Sequence, residues 1–113
     1  MRIIAKELTR AKLKEIAASK FGNLIKAVVD VERKLIAIDA ELHSDLEALL
    51  LEDGSEQRHL WGINLYPELQ GDEFIEFDSM INVRPSQNNK SRDVENKQMR
   101  QQIIAIVTKR VIQ

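Results

Sequence analysis

The apolar residues of this chain recur with a period that changes along the sequence, and each change predicts an element. The short apolar run RIIA, near the N-terminus, predicts a strand. The following segment, LTRAKLKEIAASKFGN, predicts an amphipathic helix with Leu13, Ile16 and Ala17 on its buried face. Thr9 can cap the start of this helix, and Gly22 suits the left-handed position after its end.

Two β-branched segments, LIKAVVDV and KLIAIDA, follow this helix and are separated only by Glu32 and Arg33. In the first, alternate residues such as Ala27 and Val29 are apolar, whereas Lys26 and Asp30 lie on the opposite side. A hairpin is the simplest structure that joins two strands across so short a connection.

The segment SDLEALLLEDG predicts a short second helix that starts just after Ser44, because Ser44 and Glu47 have the spacing of a capping box. The segments HLWGINLYP and EFIEFDSMINV then predict a second pair of strands. In the latter strand, Glu76 and Asp78 are expected on the face of the sheet turned away from the helices.

A polar stretch, RPSQNNKSRDVENKQ, ends this periodicity and predicts a loop over residues 84–93. The apolar stripe resumes at Met99 and predicts a C-terminal helix that begins at Asp93 or Val94. The order of elements is therefore β-α-β-β-α-β-β-α. It predicts one α+β domain over residues 1–113 without a separate linker, with an antiparallel or mixed sheet of about five strands and three helices on one face.

The composition narrows the classes of protein that this fold can serve. The chain has 113 residues, a formal net charge of −1 and 4% aromatic residues, so nucleic acid is an unfavoured partner. It has no cysteine, which excludes thiolate metal sites and fits a reducing, cytoplasmic location. No apolar run reaches the ~18 residues of a membrane span, the N-terminus lacks a signal-peptide pattern, and no motif indicates a cofactor.

Several longer motifs in the chain carry a resemblance to a known family. They are KAVVDVE, ELHSDLEALLLEDGS, LWGINLYP, IEFDSMINVRP and NKSRDVE, and together they span nearly the whole sequence. With these motifs the chain resembles DUF5674, a prokaryotic family of unknown function. The resemblance implies a complete single-domain protein, and it implies no activity, ligand or cofactor.

The motif ELHSDLE places four potential metal ligands or catalytic groups at alternate positions, Glu41, His43, Asp45 and Glu47. A helix that starts within the motif would rotate them apart, so the start of a helix is favoured over a metal site. His43 stays a candidate general acid or base, with Asp45 or Asp78 as its partner, because histidine titrates near neutral pH.

The polar stretch after residue 83 is the candidate ligand site. Arg84 and Arg92 could clamp a phosphate or carboxylate at the N-terminus of the last helix. The same site would draw on four further polar residues, Asn88, Ser91, Asn64 and Asn82. The alternative is a solvated connector in which Ser91 or Asp93 only caps the helix, and in which the strand asparagines only bond to one another or to the loop backbone.

Three function hypotheses follow from these observations. The first is a small binding module that holds a small anionic ligand at the 84–92 loop. The second is a self-associating regulatory or interaction protein with Trp61, Tyr66 and Phe74 at its contact surface. The third is a hydrolase-type enzyme that uses His43. The sequence contains no nucleophile motif, P-loop or glycine-rich phosphate loop, which favours a non-enzymatic function.

Overall fold

The computed structural model describes residues 1–113 and contains three helices and seven strands. The helices are α1 (Arg10–Lys20), α2 (His43–Glu52) and α3 (Lys97–Arg110). The strands are β1 (Arg2–Ile4), β2 (Leu8–Thr9), β3 (Ile25–Asp30), β4 (Leu35–Ile38), β5 (Leu60–Leu65), β6 (Ile75–Glu76) and β7 (Val111–Ile112). Five of these strands form one antiparallel sheet in the spatial order β1-β4-β3-β5-β6, which confirms the predicted α+β class.

The helices pack on both faces of this sheet, so the prediction that all three share one face is wrong. Helices α1 and α3 cover the larger core, to which Ala27 and Val29 of β3 belong. Helix α2 covers a smaller core on the other face, which contains Val28 of β3. The run AVVD in β3 shows why the sheet has helices on both faces. A strand that is buried on both faces loses the alternation of apolar and polar residues.

The first helix and the hairpin confirm their sequence signals. Thr9 Oγ1 accepts a hydrogen bond from Lys12 N at 3.1 Å, and Gly22 takes a positive φ of 92° after the helix. Strands β3 and β4 pair antiparallel, with Val29 opposite Ile36. The parallel pairing of β2 with β7, which joins the two ends of the chain, was not predicted.

Helix α2 starts earlier than predicted, and the capping box is wrong. The helix begins at His43, and Leu42 occupies its N-cap without a side-chain hydrogen bond. Ser44 therefore lies inside the first turn and cannot cap it. The ring of His43 bonds to the main chain of β5, and this tertiary contact fixes the start of the helix.

The second predicted strand pair is much shorter than its pattern suggested. Strand β6 contains only Ile75 and Glu76, and a 3-10 turn occupies Met80–Asn82. Glu76 lies opposite Asn64 in the ladder, and Asp78 lies beside the start of α2. The prediction that Glu76 and Asp78 face away from all helices is therefore wrong.

The polar segment that follows is ordered by asparagine side chains. Asn89 Nδ2 donates to the main-chain oxygens of Asn82 and Asp93, each at 2.7 Å, and Asn89 Oδ1 accepts from Glu95 N at 2.9 Å. Helix α3 begins only at Lys97, where Asn96 Oδ1 accepts from Met99 N. Its predicted start at Asp93 or Val94 is wrong, because the main chain around these residues serves the Asn89 network instead.

None of the three helices combines the length and the apolar character that crossing a bilayer requires.

Candidate functional site

A pocket of about 220 Å³ lies on the face of the sheet that α2 covers, beside the start of that helix. We call it the α2 pocket. Three parts of the chain form it: strands β3 and β5, the first residues of α2, and the segment that follows β6. Its lining residues are Lys26, Leu42, His43, Ser44, Asn64, Asp78, Ser79, Met80, Ile81 and Arg92.

The register of the sheet brings polar side chains to the floor of the α2 pocket. Lys26 of β3 lies directly opposite Asn64 of β5, and Asn64 lies opposite Glu76 of β6. Directly opposed residues of neighbouring strands project on the same face of a sheet. Three polar residues from three strands therefore form one row beside α2.

His43 is tied to this floor through one nitrogen of its ring. Nε2 lies 2.8 Å from the main-chain oxygen of Ile63. A carbonyl oxygen can only accept, so Nε2 carries the proton and donates, which leaves Nδ1 as the acceptor of a neutral ring. Burial lowers the pKa of His43 below its ordinary value of 6.5, and the nearby charges of Lys26 and Arg92 lower it further, against the opposing effects of the Ile63 hydrogen bond and of Asp78.

Two pocket residues at the start of α2 have unbonded main-chain donors. The N–H groups of His43 and Ser44 make no hydrogen bond within the protein, and Asp45 N is the first that does, to Leu42 O at 3.2 Å. Free N–H groups at a helix N-terminus, together with the helix dipole, favour a negative charge. The lack of a side-chain cap at Leu42 therefore leaves an anion-binding position open.

Two cations and one carboxylate line the same pocket. Arg92 Nε donates to Asp78 Oδ1 at 2.6 Å, and the two terminal nitrogens of Arg92 make no hydrogen bond within the protein. Lys26 forms no ion pair, and its ammonium lies 5.2 Å from the centre of the Phe21 ring. The lining thus carries one positive charge in excess, with unused donors on both cations.

The structure brings together four of the residues that the sequence nominated as site candidates. His43, Asp78, Asn64 and Arg92 all line the α2 pocket. Asp45 is exposed and lies outside the pocket, so it is not the partner of His43. The motif ELHSDLE contains the start of helix α2, the interpretation that the sequence favoured over a metal site.

The predicted clamp of Arg84 and Arg92 does not form. The guanidinium of Arg84 stacks over the ring of Trp61, 4.2 Å from its centre, and donates to the main-chain oxygens of Gln57 and Leu60. These bonds use Arg84 to close the loop before β5. Burial also lowers the pKa of Arg84, although a nearby Glu47 opposes this effect.

The remaining predicted ligand residues have structural contacts elsewhere. Asn82 is fully buried and bonds to the main chain of Gly62, and the Ser91 hydroxyl accepts from Asp93 N at 3.3 Å. Asn88 borders a separate concavity of about 360 Å³ with Glu95. No lysine, arginine or histidine lines that concavity, so its charge opposes an anion.

Sequence reasoning missed Lys26, Ser44 and Ser79 as pocket residues. The signal for Lys26 was present, because it is a charged residue within a mainly apolar strand, but its partner across the sheet was not predictable. The aromatic residues nominated as a contact surface are mostly internal, since Trp61 and Phe74 belong to the larger core. Tyr66 is half-buried and donates to Glu76, and the pKa of its hydroxyl is raised by burial and by that bond.

The fold and the pocket define a small α+β domain, with helices on both faces of an antiparallel sheet and a cationic pocket at one helix start. A family model for proteins of unknown function, DUF5674, matches residues 2–110. The chain belongs to this family, which confirms the resemblance seen in its motifs. No curated protein and no solved structure matches the chain significantly.

Proposed function

We propose that this protein is a small binding module that holds an anionic ligand in the α2 pocket. The observation that carries the proposal is the pair of unbonded main-chain N–H groups of His43 and Ser44, two residues that line the pocket together with Lys26 and Arg92. A helix N-terminus with adjacent cations is a common site for phosphate and carboxylate groups. The proposed position differs from the loop expected from the sequence, since it uses α2 and not α3.

The charges of the pocket support an anion over a cation. Lys26 has no carboxylate partner, and the terminal nitrogens of Arg92 are free although its Nε is paired with Asp78. An anion between them would replace water at several donors without moving the main chain. The pocket volume of about 220 Å³ is smaller than the ~300–1,000 Å³ of sites for drug-sized ligands, so the ligand is small.

The test is a titration of the protein with sulfate and with inorganic phosphate. Binding is monitored through the amide chemical shifts and the melting temperature. We expect the amides of His43 and Ser44 to shift, and Lys26→Gln and Arg92→Gln each to weaken binding by about tenfold. Lys90→Gln is the matched control, because Lys90 lies near Arg92 in sequence but outside the pocket. Equal affinities in all three variants, or no shift at the start of α2, would contradict the proposal.

A second candidate function is hydrolase-type chemistry with His43. One observation favours it: His43 and Asp78 line the same pocket, and the Nδ1 of His43 is a neutral acceptor that could take a proton from water. The test is hydrolysis of nitrophenyl acetate and nitrophenyl phosphate, with His43→Gln as the comparison. Activity that survives unchanged in His43→Gln would eliminate this candidate.

Self-association is a third candidate, supported by two apolar side chains on the pocket lining. Leu42 is 54% exposed and Met80 is 67% exposed. Exposed apolar side chains that lie together are typical of contact surfaces. A monomeric mass by light scattering, at all concentrations measured, would argue against it.

A cytoplasmic location, suggested by the absence of cysteine, completes the proposal.

A further inference from the structure

The side-chain amide of Asn64 has an orientation that its neighbours fix. Its Nδ2 donates to Glu76 Oε1 at 2.8 Å and makes a longer contact with the main-chain oxygen of Asp78 at 3.4 Å. Tyr66 OH donates to the same Glu76 oxygen at 3.1 Å and holds the carboxylate in place. Rotating the amide by half a turn would put Oδ1 against a carboxylate that has no proton to give. Oδ1 must therefore point away from Glu76.

This orientation leaves Asn64 Oδ1 as a buried acceptor without a donor. Asn64 is 8% exposed, and its Oδ1 has no hydrogen-bond partner. Nearly all buried polar atoms in proteins are paired, and an unpaired one is destabilising. Asn64 lines the α2 pocket, but Oδ1 itself has almost no accessible surface, so a ligand supplies the missing donor only when the atoms that cover the amide move aside.

His43 contributes a second acceptor to the same pocket. Its Nε2–H is used by the Ile63 oxygen, and its Nδ1 makes no hydrogen bond. Nδ1 is not among the buried atoms that lack a partner, so it is open to solvent or ligand. The α2 pocket therefore combines donors, at the start of α2 and on the two cations, with acceptors on Asn64 and His43.

The donors and acceptors are close together. Lys26 and Asn64 are directly opposed in the β3–β5 ladder, and the Cβ atoms of such pairs are about 5 Å apart. A ligand that reaches both residues needs its anionic group and its own donor only a few bonds apart. This spacing, together with the small volume, favours a compact molecule over a nucleotide.

We infer that the ligand is a small anion that carries an N–H or O–H donor beside its charged group, as a hydroxy acid or an amino acid does. The inference rests on the proposed anion-binding function and adds the recognition of a donor. The anionic group lies at His43 N, Ser44 N and Lys26. The donor meets Asn64 Oδ1, with His43 Nδ1 as the second acceptor within the pocket.

The experiment compares acetate, glycolate and glycine, which share a carboxylate and differ in having no donor, a hydroxyl or an ammonium beside it. Affinities are measured by chemical-shift titration of the full chain, with sulfate as a reference anion that has no donor. We expect glycolate or glycine to bind at least tenfold more tightly than acetate. A preference for glycolate identifies a hydroxyl as the recognised donor, and a preference for glycine identifies an amine.

Two variants attribute the preference to Asn64. Asn64→Leu removes the acceptor, and Glu76→Gln, at an exposed position, removes the carboxylate that fixes the amide orientation. In both variants, glycolate and glycine should bind about as weakly as acetate does, while sulfate binding persists. Asn23→Leu is the control, because Asn23 is exposed and lies outside the α2 pocket, and it should keep the full preference.

The outcomes separate this inference from the proposed function. Equal affinities for acetate, glycolate and glycine, with sulfate still bound and sensitive to Lys26→Gln, would overturn the inference and leave the anion site intact. A preference that persists in both Asn64→Leu and Glu76→Gln would also overturn it. Failure of sulfate and of all three carboxylates to bind would contradict the proposed function itself.

Discussion

The side-chain amide of Asn82 pairs with Gly62 as the main chain of a neighbouring strand would. Asn82 Oδ1 accepts from Gly62 N at 2.8 Å, and Asn82 Nδ2 donates to Gly62 O at 2.9 Å. The same Nδ2 also donates to Arg92 O at 2.9 Å. Strand β6 pairs only with Asn64 and Leu65, so this amide satisfies β5 where its neighbouring strand has already ended.

We expect Asn82→Ala to lower the free energy of unfolding by about 3 kcal/mol, because it leaves the buried N–H and C=O groups of Gly62 without a partner. Urea denaturation monitored by circular dichroism measures the change. Gln101→Ala, at an exposed position of α3, is the control and should change stability by less than about 0.5 kcal/mol. A loss below about 1 kcal/mol in Asn82→Ala would show that water or a main-chain shift replaces the amide.

Gly62 faces Ser79 so closely that no other residue fits. A Cβ added to Gly62 would lie 2.5 Å from both Cβ and Oγ of Ser79 and 3.1 Å from Ile81 Cγ1. We expect Gly62→Ala to destabilise the fold by about 2–3 kcal/mol through overpacking. A double-mutant cycle tests this contact. Urea denaturation gives the free energy of unfolding of Gly62→Ala, of Ser79→Gly and of the double variant. The loss in the double variant should be smaller than the sum of the two single losses, and simple additivity would refute the contact.

His43 should make the stability depend on pH between neutrality and mild acid. Its pKa in the folded state is lower than its unfolded value of about 6.5, so the unfolded chain binds more protons between these two pKa values. The contribution of His43 to stability is therefore complete above pH 6.5 and is lost as the pH falls through the folded pKa. Urea denaturation between pH 5 and 8, in steps of about half a pH unit, measures how the free energy of unfolding changes with pH.

The variant His43→Gln should remove part of that pH dependence. His59→Gln is the control, because the other histidine of the chain does not line the α2 pocket. An unchanged slope in His43→Gln would mean that protonation of His43 costs the fold nothing. That result would contradict the lowered pKa of this half-buried ring.

Arg84 and Arg92, at the two ends of the polar segment, should contribute to different properties: Arg84 to stability and Arg92 to ligand binding. Arg84→Met should lower the free energy of unfolding by about 2 kcal/mol, because Arg84 stacks on Trp61 and donates to two main-chain oxygens. Arg92→Gln should change stability by no more than about 1 kcal/mol, since its pair with Asp78 is exposed. Melting curves test this order.

Sulfate titration of the same two variants should reverse the ranking. Arg92→Gln should weaken binding, and Arg84→Met should leave the affinity unchanged as long as the protein is folded. If Arg84→Met abolishes binding at a temperature where circular dichroism shows a native fold, the anion lies nearer to Arg84 and Trp61 than to the start of α2.

Local signals in the sequence predicted those elements that depend mainly on local contacts. Thr9 and Gly22 delimit α1, and the hairpin of β3 with β4 follows from two β-branched runs with a short connection. The start of α2 was missed because its N-cap is Leu42, which has no capping group. The start of α3 was missed because the main-chain groups of Asp93 and Glu95 bond to the side chain of Asn89, which holds these residues outside the helix.

The sequence indicated individual residues of the candidate site but not that they form one site. His43, Asn64, Asp78 and Arg92 stood out as polar groups in or beside apolar segments, but nothing in the sequence indicated that they converge. Their convergence depends on the pairing of β3 with β5 and on the placement of α2 on the second face of the sheet. Arg84 and Arg92 look equivalent in the sequence, and only the position of the Trp61 ring distinguishes them.

Local patterns along the chain were sufficient to predict the class of the fold, the family and the types of side chain available for a site. These follow from local periodicity, composition and motif identity, which require no knowledge of distant contacts. The tertiary structure alone decided which helix start is left uncapped, where β6 ends and which polar residues share the α2 pocket. Each of these depends on pairs such as Asn82 with Gly62 and His43 with Ile63, which lie twenty residues apart and meet only when the sheet has formed.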